Sequence, residues 1–312
     1  MTTMKPRLDR KIFSLRHPVL FDGRGDLQAR VAQDAATRML GGEIGSHAEF
    51  LRSVESAGVP TFLECTRARI RFAAPASEFE LLPNGYYYKG GAARQMLGRL
   101  LGVHAPPPRD IDLVRFGGVW NAGDTAISKR LMPLDFERGF GVEICSDMRR
   151  YHATRDLSVN EVIYGNGEVL ASPIAVFDTL GGVLRPCQYI GGSIHRAPAL
   201  RSATVMKMLR LRAEGIVDGF PWALIGVPPR QDIEPFDVAL QLDKAFARSR
   251  RVAEVFIDQC HAVGIFADAE PAEDRFVGSL ATIVARLYEP ERLFRNIPVD
   301  ILAAARQAQA EA

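Results

Sequence analysis

At 312 residues the chain is long enough to bury a sizeable core as one catalytic domain plus a smaller second unit. Hydrophobic residues at 47% and charged residues at 24% exclude extended disorder away from the ends, and a formal net charge of +2 is too small to mark a nucleic-acid binder by charge alone. No apolar run approaches the ~20 residues that span a bilayer, and Lys5, Arg7, Asp9, Arg10 and Lys11 leave no signal-peptide core, so a cytoplasmic protein with no membrane partner is expected.

Residues 1 to about 20 are mixed and basic, and Arg16-His17-Pro18-Val19 reads as a loop. Leu27, Val31, Ala35 and Met39 repeat at helical spacing up to a stop at Gly41-Gly42. Ser46 and Glu49 form a capping box for a second helix, which ends at Gly58-Val59-Pro60. Thr61 to Cys65 and Ala68 to Phe72 are candidate strands. Residues 1–80 are therefore expected to form an N-terminal, mainly helical extension, used for packing or for a partner.

Residues 86 to 114 read as strand, glycine turn, helix, loop and strand. Tyr86 to Tyr88 favour a pleated backbone, and Gly90-Gly91 break it while letting the main chain approach a ligand closely. Ala93, Met96, Leu97, Leu100 and Leu101 then mark one face of a helix whose N-terminus opens at the glycine pair, a geometry that suits phosphate oxygens. Pro106-Pro107-Pro108 prevents the helix from continuing. In the strand expected at Asp110 to Val114, Asp110 and Asp112 share one face, and Ile111 and Leu113 share the other. Two adjacent carboxylates repel unless a cation joins them, which makes them a hard oxygen site for Mg²⁺ carrying a triphosphate.

The order and spacing of Gly90, Gly91, Arg94, Asp110 and Asp112 resemble the signature of the class II nucleotidyltransferases, the tRNA CCA-adding enzymes and bacterial poly(A) polymerases. That family's head domain carries Gly-Gly-x-x-Arg, a leucine-rich helix and Asp-x-Asp on the next strand. The resemblance implies two Mg²⁺ ions, a nucleoside triphosphate as substrate and an RNA acceptor.

Arg115 to Arg138, with Gly117-Gly118 and Trp120-Asn121-Ala122-Gly123, reads as turn-rich, and Gly141 to Cys145 as a strand. A third carboxylate in this superfamily reaches the metals from a neighbouring strand; Glu143 is the candidate, with Asp147 and Asp135 as alternatives. Arg155-Asp156-Leu157-Ser158-Val159-Asn160 resembles the family's Arg-Arg-Asp-Phe-Thr-x-Asn-Ala block, with Thr154 in place of the first Arg and Leu157 in place of Phe. By that resemblance Arg155, Asp156 and Asn160 contact phosphate and ribose, although a surface helix start would explain the same residues without a ligand. Tyr164-Gly165-Asn166-Gly167-Glu168 reads as a hairpin turn.

The family's base-reading Glu-Asp-x-x-Arg falls on Ala203, Thr204 and Lys207, with Ser202 or Arg201 nearby as substitutes. Thr204 can donate or accept and Lys207 can only donate, so two-point recognition of both CTP and ATP is not expected. From Phe220 onward the resemblance ends. Ile233 to His261, Gly278 to Tyr288 and Pro298 to Ala312 read as helices, with Val238, Leu242, Ala245 and Phe246 as an apolar stripe. Arg248-Ser249-Arg250-Arg251 is either a solvated face or an RNA contact. Cys65, Cys145, Cys187 and Cys260 show no zinc or redox spacing.

The expected fold is α/β of the α+β kind: a nucleotidyltransferase-type mixed sheet with flanking helices over residues 81–215, then a helical C-terminal domain over 216–312. The expected activity is Mg²⁺-dependent transfer of a nucleoside monophosphate to an RNA 3′ end, tRNA or tRNA-like. Transfer to a protein or small molecule, and a non-catalytic RNA- or protein-binding head, are the alternatives.

Overall fold

The computed structural model describes residues 13–14, 64–66, 69–74, 77–103, 106–186, 197–224, 232–266, 275–287 and 290–311. The helices expected at 27–40 and 46–57 lie outside the described residues. The chain divides into two compact units, Asp22–Ser193 with Trp222–Gly226, and Met1–Phe21 with Ile194–Pro221 and Val227–Ala312.

The first unit is built on a seven-stranded mixed sheet. Its strands are β2 (Glu64–Thr66), β3 (Arg69–Ala73), β4 (Tyr86–Lys89), β5 (Asp112–Phe116), β6 (Glu143–Cys145), β7 (Val162–Gly165) and β8 (Glu168–Ala171); β1 belongs to the other unit. The spatial order is β2-β3-β8-β7-β4-β5-β6. Neighbours are antiparallel except β5 and β6, which run parallel. The end of the expected helical extension is therefore sheet: β3 pairs with β8 from Ile70 opposite Ala171 to Ala73 opposite Glu168. Asn166 and Gly167 both take positive φ, 53° and 74°, which gives the β7–β8 hairpin the twist of a primed turn.

Helix α1 (Gly90–Leu101) follows β4 directly and buries Ala92, Ala93, Met96, Leu97, Leu100 and Leu101. These meet Tyr88, Leu113, Val162, Val169 and Ala171 on one face of the sheet, together with Ala175 and Val176 of α5 (Pro173–Gly181). On the other face Val114, Cys145, Ile163 and Leu170 pack with Tyr151 of α4 (Met148–Ala153). Leu113 is fully buried and Ile111 packs against the α1 face, so strand alternation assigns Asp112 to the α4 face with Val114 and Phe116.

The stretch read as turn-rich contains two helices, α2 (Ala122–Leu131) and α3 (Pro133–Glu137). Asn121 caps α2 by accepting from the Gly123 and Asp124 amides, and Asp124 accepts in return from the Asn121 amide. This closed capping box stabilises a first turn that Gly123 alone would weaken. The unit is completed by β9 (Val183–Leu184) running parallel to β10 (Ala223–Leu224).

The second unit pairs β1 (Phe13–Ser14) with β11 (Asp232–Ile233) and is otherwise helical among its described residues: α6 (Ala197–Val217), α7 (Pro235–Arg248), α8 (Arg250–Ala262), α9 (Arg275–Val284), α10 (Pro290–Leu293) and α11 (Val299–Glu311). Val238, Leu242 and Ala245 of α7 and Val252, Val255 and Phe256 of α8 are buried, and Arg210 of α6 donates to Glu214 and to Gln241 of α7. Helix α6 thus packs with the C-terminal helices, and the boundary expected at 215 falls inside it.

Candidate functional site

Strand register brings the first residues together. Lys89 ends β4 directly opposite Asp112, the first residue of β5, so both side chains project from the same face. The next residue, Gly90, has φ +59°, and a β-carbon built on it would lie 2.8 Å from Asp112 Oδ2. Only glycine allows that carboxylate to rest against the start of α1. Gly91 is constrained differently: a β-carbon there would meet Pro108 at 3.1 Å. The proline run thereby folds the loop back over the helix start. Lys89, the residue capping α1, makes no side-chain capping bond.

Asp110 lies in the bend before β5, not in the strand. Its side chain is 43% exposed, and Arg109 Nη2 donates to it at 2.5 Å.

The second motif meets the first at the Gly90–Leu101 helix. Arg94 of α1 donates to Asn160 Oδ1, and Asn160 Nδ2 donates to Asp156 Oδ1 at 2.6 Å. The Arg94–Asn160 bond joins two separate sequence motifs, the one with Gly90 and Arg94 and the one with Asp156 and Asn160. The short 3₁₀ turn Ser158–Asn160 is anchored by Ser158 Oγ, which donates at 2.5 Å to the buried Asp178; Asp178 also receives Arg185 Nε at 3.0 Å.

Glu143, expected as the third metal ligand, has different partners. Its Oε2 accepts from Lys89 Nζ at 2.5 Å; its Oε1 accepts from Arg155 Nη2 at 2.5 Å and from Cys145 Sγ at 3.3 Å. Burial alone would raise the Glu143 carboxyl, but Lys89 and Arg155 outweigh it and hold it at about 2. The Arg155 guanidinium lies 4.1 Å from the centre of the Tyr151 ring and donates through Nε to the Tyr151 carbonyl. Burial pushes the Tyr151 hydroxyl upward, so it stays protonated and donates to backbone carbonyls of Asn160 and Val162. Among the described residues, no three His, Cys, Asp or Glu side chains converge on a metal position. Asp147 and Asp135, the alternative third acids, are also engaged: Asp147 caps α4 by accepting from the Arg150 amide, and Asp135 pairs with Arg138 at 3.7 Å.

The donor chemistry of Asp110 and Asp112 fits Mg²⁺. That ion keeps several waters and is held through one or two carboxylates plus substrate phosphates, so two protein oxygens suffice when a triphosphate supplies the rest. Glu143 accepts from two cations, Lys89 and Arg155, so a metal ion there would share its oxygens with them.

Thr204, which is buried, and Lys207, which is half-buried, lie on α6 in the other unit. Sequence reasoning passed over Lys89 and Tyr151. Lys89 directly before the glycine pair was the available signal, since a cation ending a strand of tyrosines has to find an anionic neighbour.

No family model and no curated protein sequence matches this chain. Among solved structures, the fold is similar to one described as "Structure of tRNA-processing enzyme complex 3", at 13% sequence identity and a TM-score of 0.39, over 72% of this chain and 71% of that one. No helix among the described residues is long and apolar enough to cross a membrane.

Proposed function

We propose that the chain is a Mg²⁺-dependent nucleotidyltransferase that moves a nucleoside monophosphate from a nucleoside triphosphate to an RNA 3′ end, tRNA or tRNA-like, and releases pyrophosphate. The observation that carries the reading is the Arg94–Asn160 bond, which joins the glycine-opened helix to the Arg155-Asp156 block although the two residues are 66 positions apart. A surface helix start would give Asn160 no reason to meet Arg94.

In this reading the α1 amides at Gly90 and Gly91 face the triphosphate, with Arg94 contacting its oxygens. Asp156 and Asn160 present a carboxylate and an amide to the ribose hydroxyls. Asp110 and Asp112 hold Mg²⁺, which when bound neutralises phosphate charge and makes the acceptor hydroxyl more acidic. The acceptor hydroxyl loses its proton to water as its oxygen bonds to the α-phosphorus and the α–β bridging bond breaks, and the fixed cations Lys89 and Arg155 offset charge on the departing pyrophosphate. The RNA acceptor and the tRNA-like preference follow from the motif resemblance.

The test is incubation of the full chain with each labelled nucleoside triphosphate, Mg²⁺ and total RNA, with Asp110→Ala as control. Label in RNA that disappears in the control supports the proposal. Label in protein or in a small molecule would replace the acceptor assignment, and no label in any fraction would overturn the activity.

A further inference from the structure

Around the start of α1 the side chains form a cluster that is electrically balanced without any bound ion. The carboxylates are Asp110, Asp112, Glu143 and Asp156; the cations are Lys89, Arg94, Arg109 and Arg155. Arg109 pairs with Asp110. Lys89 and Arg155 pair with Glu143. Arg94 reaches Asp156 through Asn160. A second divalent ion would have to draw on the charge of the triphosphate, because this cluster adds no surplus negative charge of its own.

We propose that the site takes up a single divalent ion with each nucleoside triphosphate, that the Lys89 ammonium supplies the positive charge a second ion would bring, and that Glu143 is the residue that positions it. This rests on the nucleotidyl-transfer reading and refines it. Both Glu143 oxygens accept from a cation, Oε2 from Lys89 Nζ and Oε1 from Arg155 Nη2, each at 2.5 Å, so an ion approaching Glu143 would meet a fixed positive charge at either oxygen. The Lys89 side chain is 18% exposed and that of Glu143 26%, so water screens the pair only partly. Register sets Lys89 opposite Asp112, and the Asp112 carboxylate rests on Gly90 at the helix start. The ammonium therefore shares the strand face of the metal-binding carboxylate, where the phosphates of a bound nucleotide would lie. A divalent ion arriving second would meet that ammonium as a like charge.

The experiment counts ions. Mn²⁺ bound per chain is measured by electron paramagnetic resonance with α,β-methylene analogues of the four nucleoside triphosphates, supplied one at a time. The wild type should bind one Mn²⁺ with the analogue it accepts. Lys89→Met should bind two, because it uncovers Glu143 Oε2 and adds one unit of negative charge. Lys89→Arg should return to one. Glu143→Gln should still bind one Mn²⁺ per chain; loss of that ion from a folded Glu143→Gln would make Glu143 a ligand and overturn the inference. Two Mn²⁺ on the wild type, or one on a folded Lys89→Met, would also overturn it while leaving nucleotidyl transfer standing. No Mn²⁺ on the wild type with any analogue would overturn both.

Discussion

The Asp112 carboxylate is seated on the main chain of Gly90, close enough that a β-carbon on Gly90 would lie 2.8 Å from Oδ2. The same glycine has φ +59°, so Gly90→Ala is penalised by steric contact and by backbone conformation at once. The expected loss is about 1–3 kcal/mol of stability, together with transfer activity, as Asp112 is pushed off the helix start. Urea denaturation and the labelling assay check both. An alanine variant of wild-type stability and rate would show that the contact is dispensable.

Asp110 offers a separation of function from fold. Its side chain is 43% exposed and its ion pair is with the neighbouring Arg109, so Asp110→Ala should change stability by no more than about 0.5 kcal/mol. Transfer should nevertheless fall to background. Wild-type labelling by a folded Asp110→Ala would end its metal role, and the same comparison applies to Asp112→Ala.

The Glu143 pairing makes stability depend on pH. Its folded carboxyl is held at about 2 against an ordinary value of 4.5. A depressed carboxyl contributes stability above its unfolded value and loses it as pH falls toward the folded one, so the window is about pH 4.5 down to 2. At ~1.4 kcal/mol per unit, the contribution at neutral pH is roughly 3 kcal/mol at most. Denaturation of wild type and Glu143→Gln at pH 7, 4 and 3 should show a gap that narrows with acid. A gap of constant size would mean that charge is not what Glu143 contributes.

Beneath the site, Asp178 is fully buried and receives Arg185 at 3.0 Å and Ser158 at 2.5 Å. Asp178→Asn removes the counter-charge of a guanidinium that is itself almost fully buried, and the expected cost is about 3–5 kcal/mol. Ser158→Ala should cost about 1–3 kcal/mol. Both losses should appear in the denaturation midpoint and not in transfer per folded molecule at low temperature. A rate defect without a stability defect would instead put Ser158 in contact with the nucleotide.

Elements whose signals lie within a few residues were readable from the text of the chain. The glycine-opened helix, the Asn166-Gly167 hairpin and the helical C-terminal region each carry their period or turn chemistry locally. Helix α2 was equally local and was still missed, because Asn121 and Gly123 look like turn residues until the reciprocal Asn121–Asp124 bonds identify a cap. The strand at Arg69–Ala73 was legible as an element, since Ala68 to Phe72 reads as a strand, but its pairing with β8, about a hundred residues later, is encoded by no local pattern.

By itself the sequence determined which residues are the candidates for the chemistry: the glycine pair, the Asp-x-Asp and the Arg155-Asp156 block, because backbone conformation and charge are properties of residue type and short spacing. Only the tertiary structure decided how they are partnered. Lys89 and Arg155 reach Glu143 from positions 54 and 12 residues away, and Arg94 reaches Asn160 from 66 residues away. A hydrogen bond depends on distance in space, and strand register, not chain separation, sets that distance.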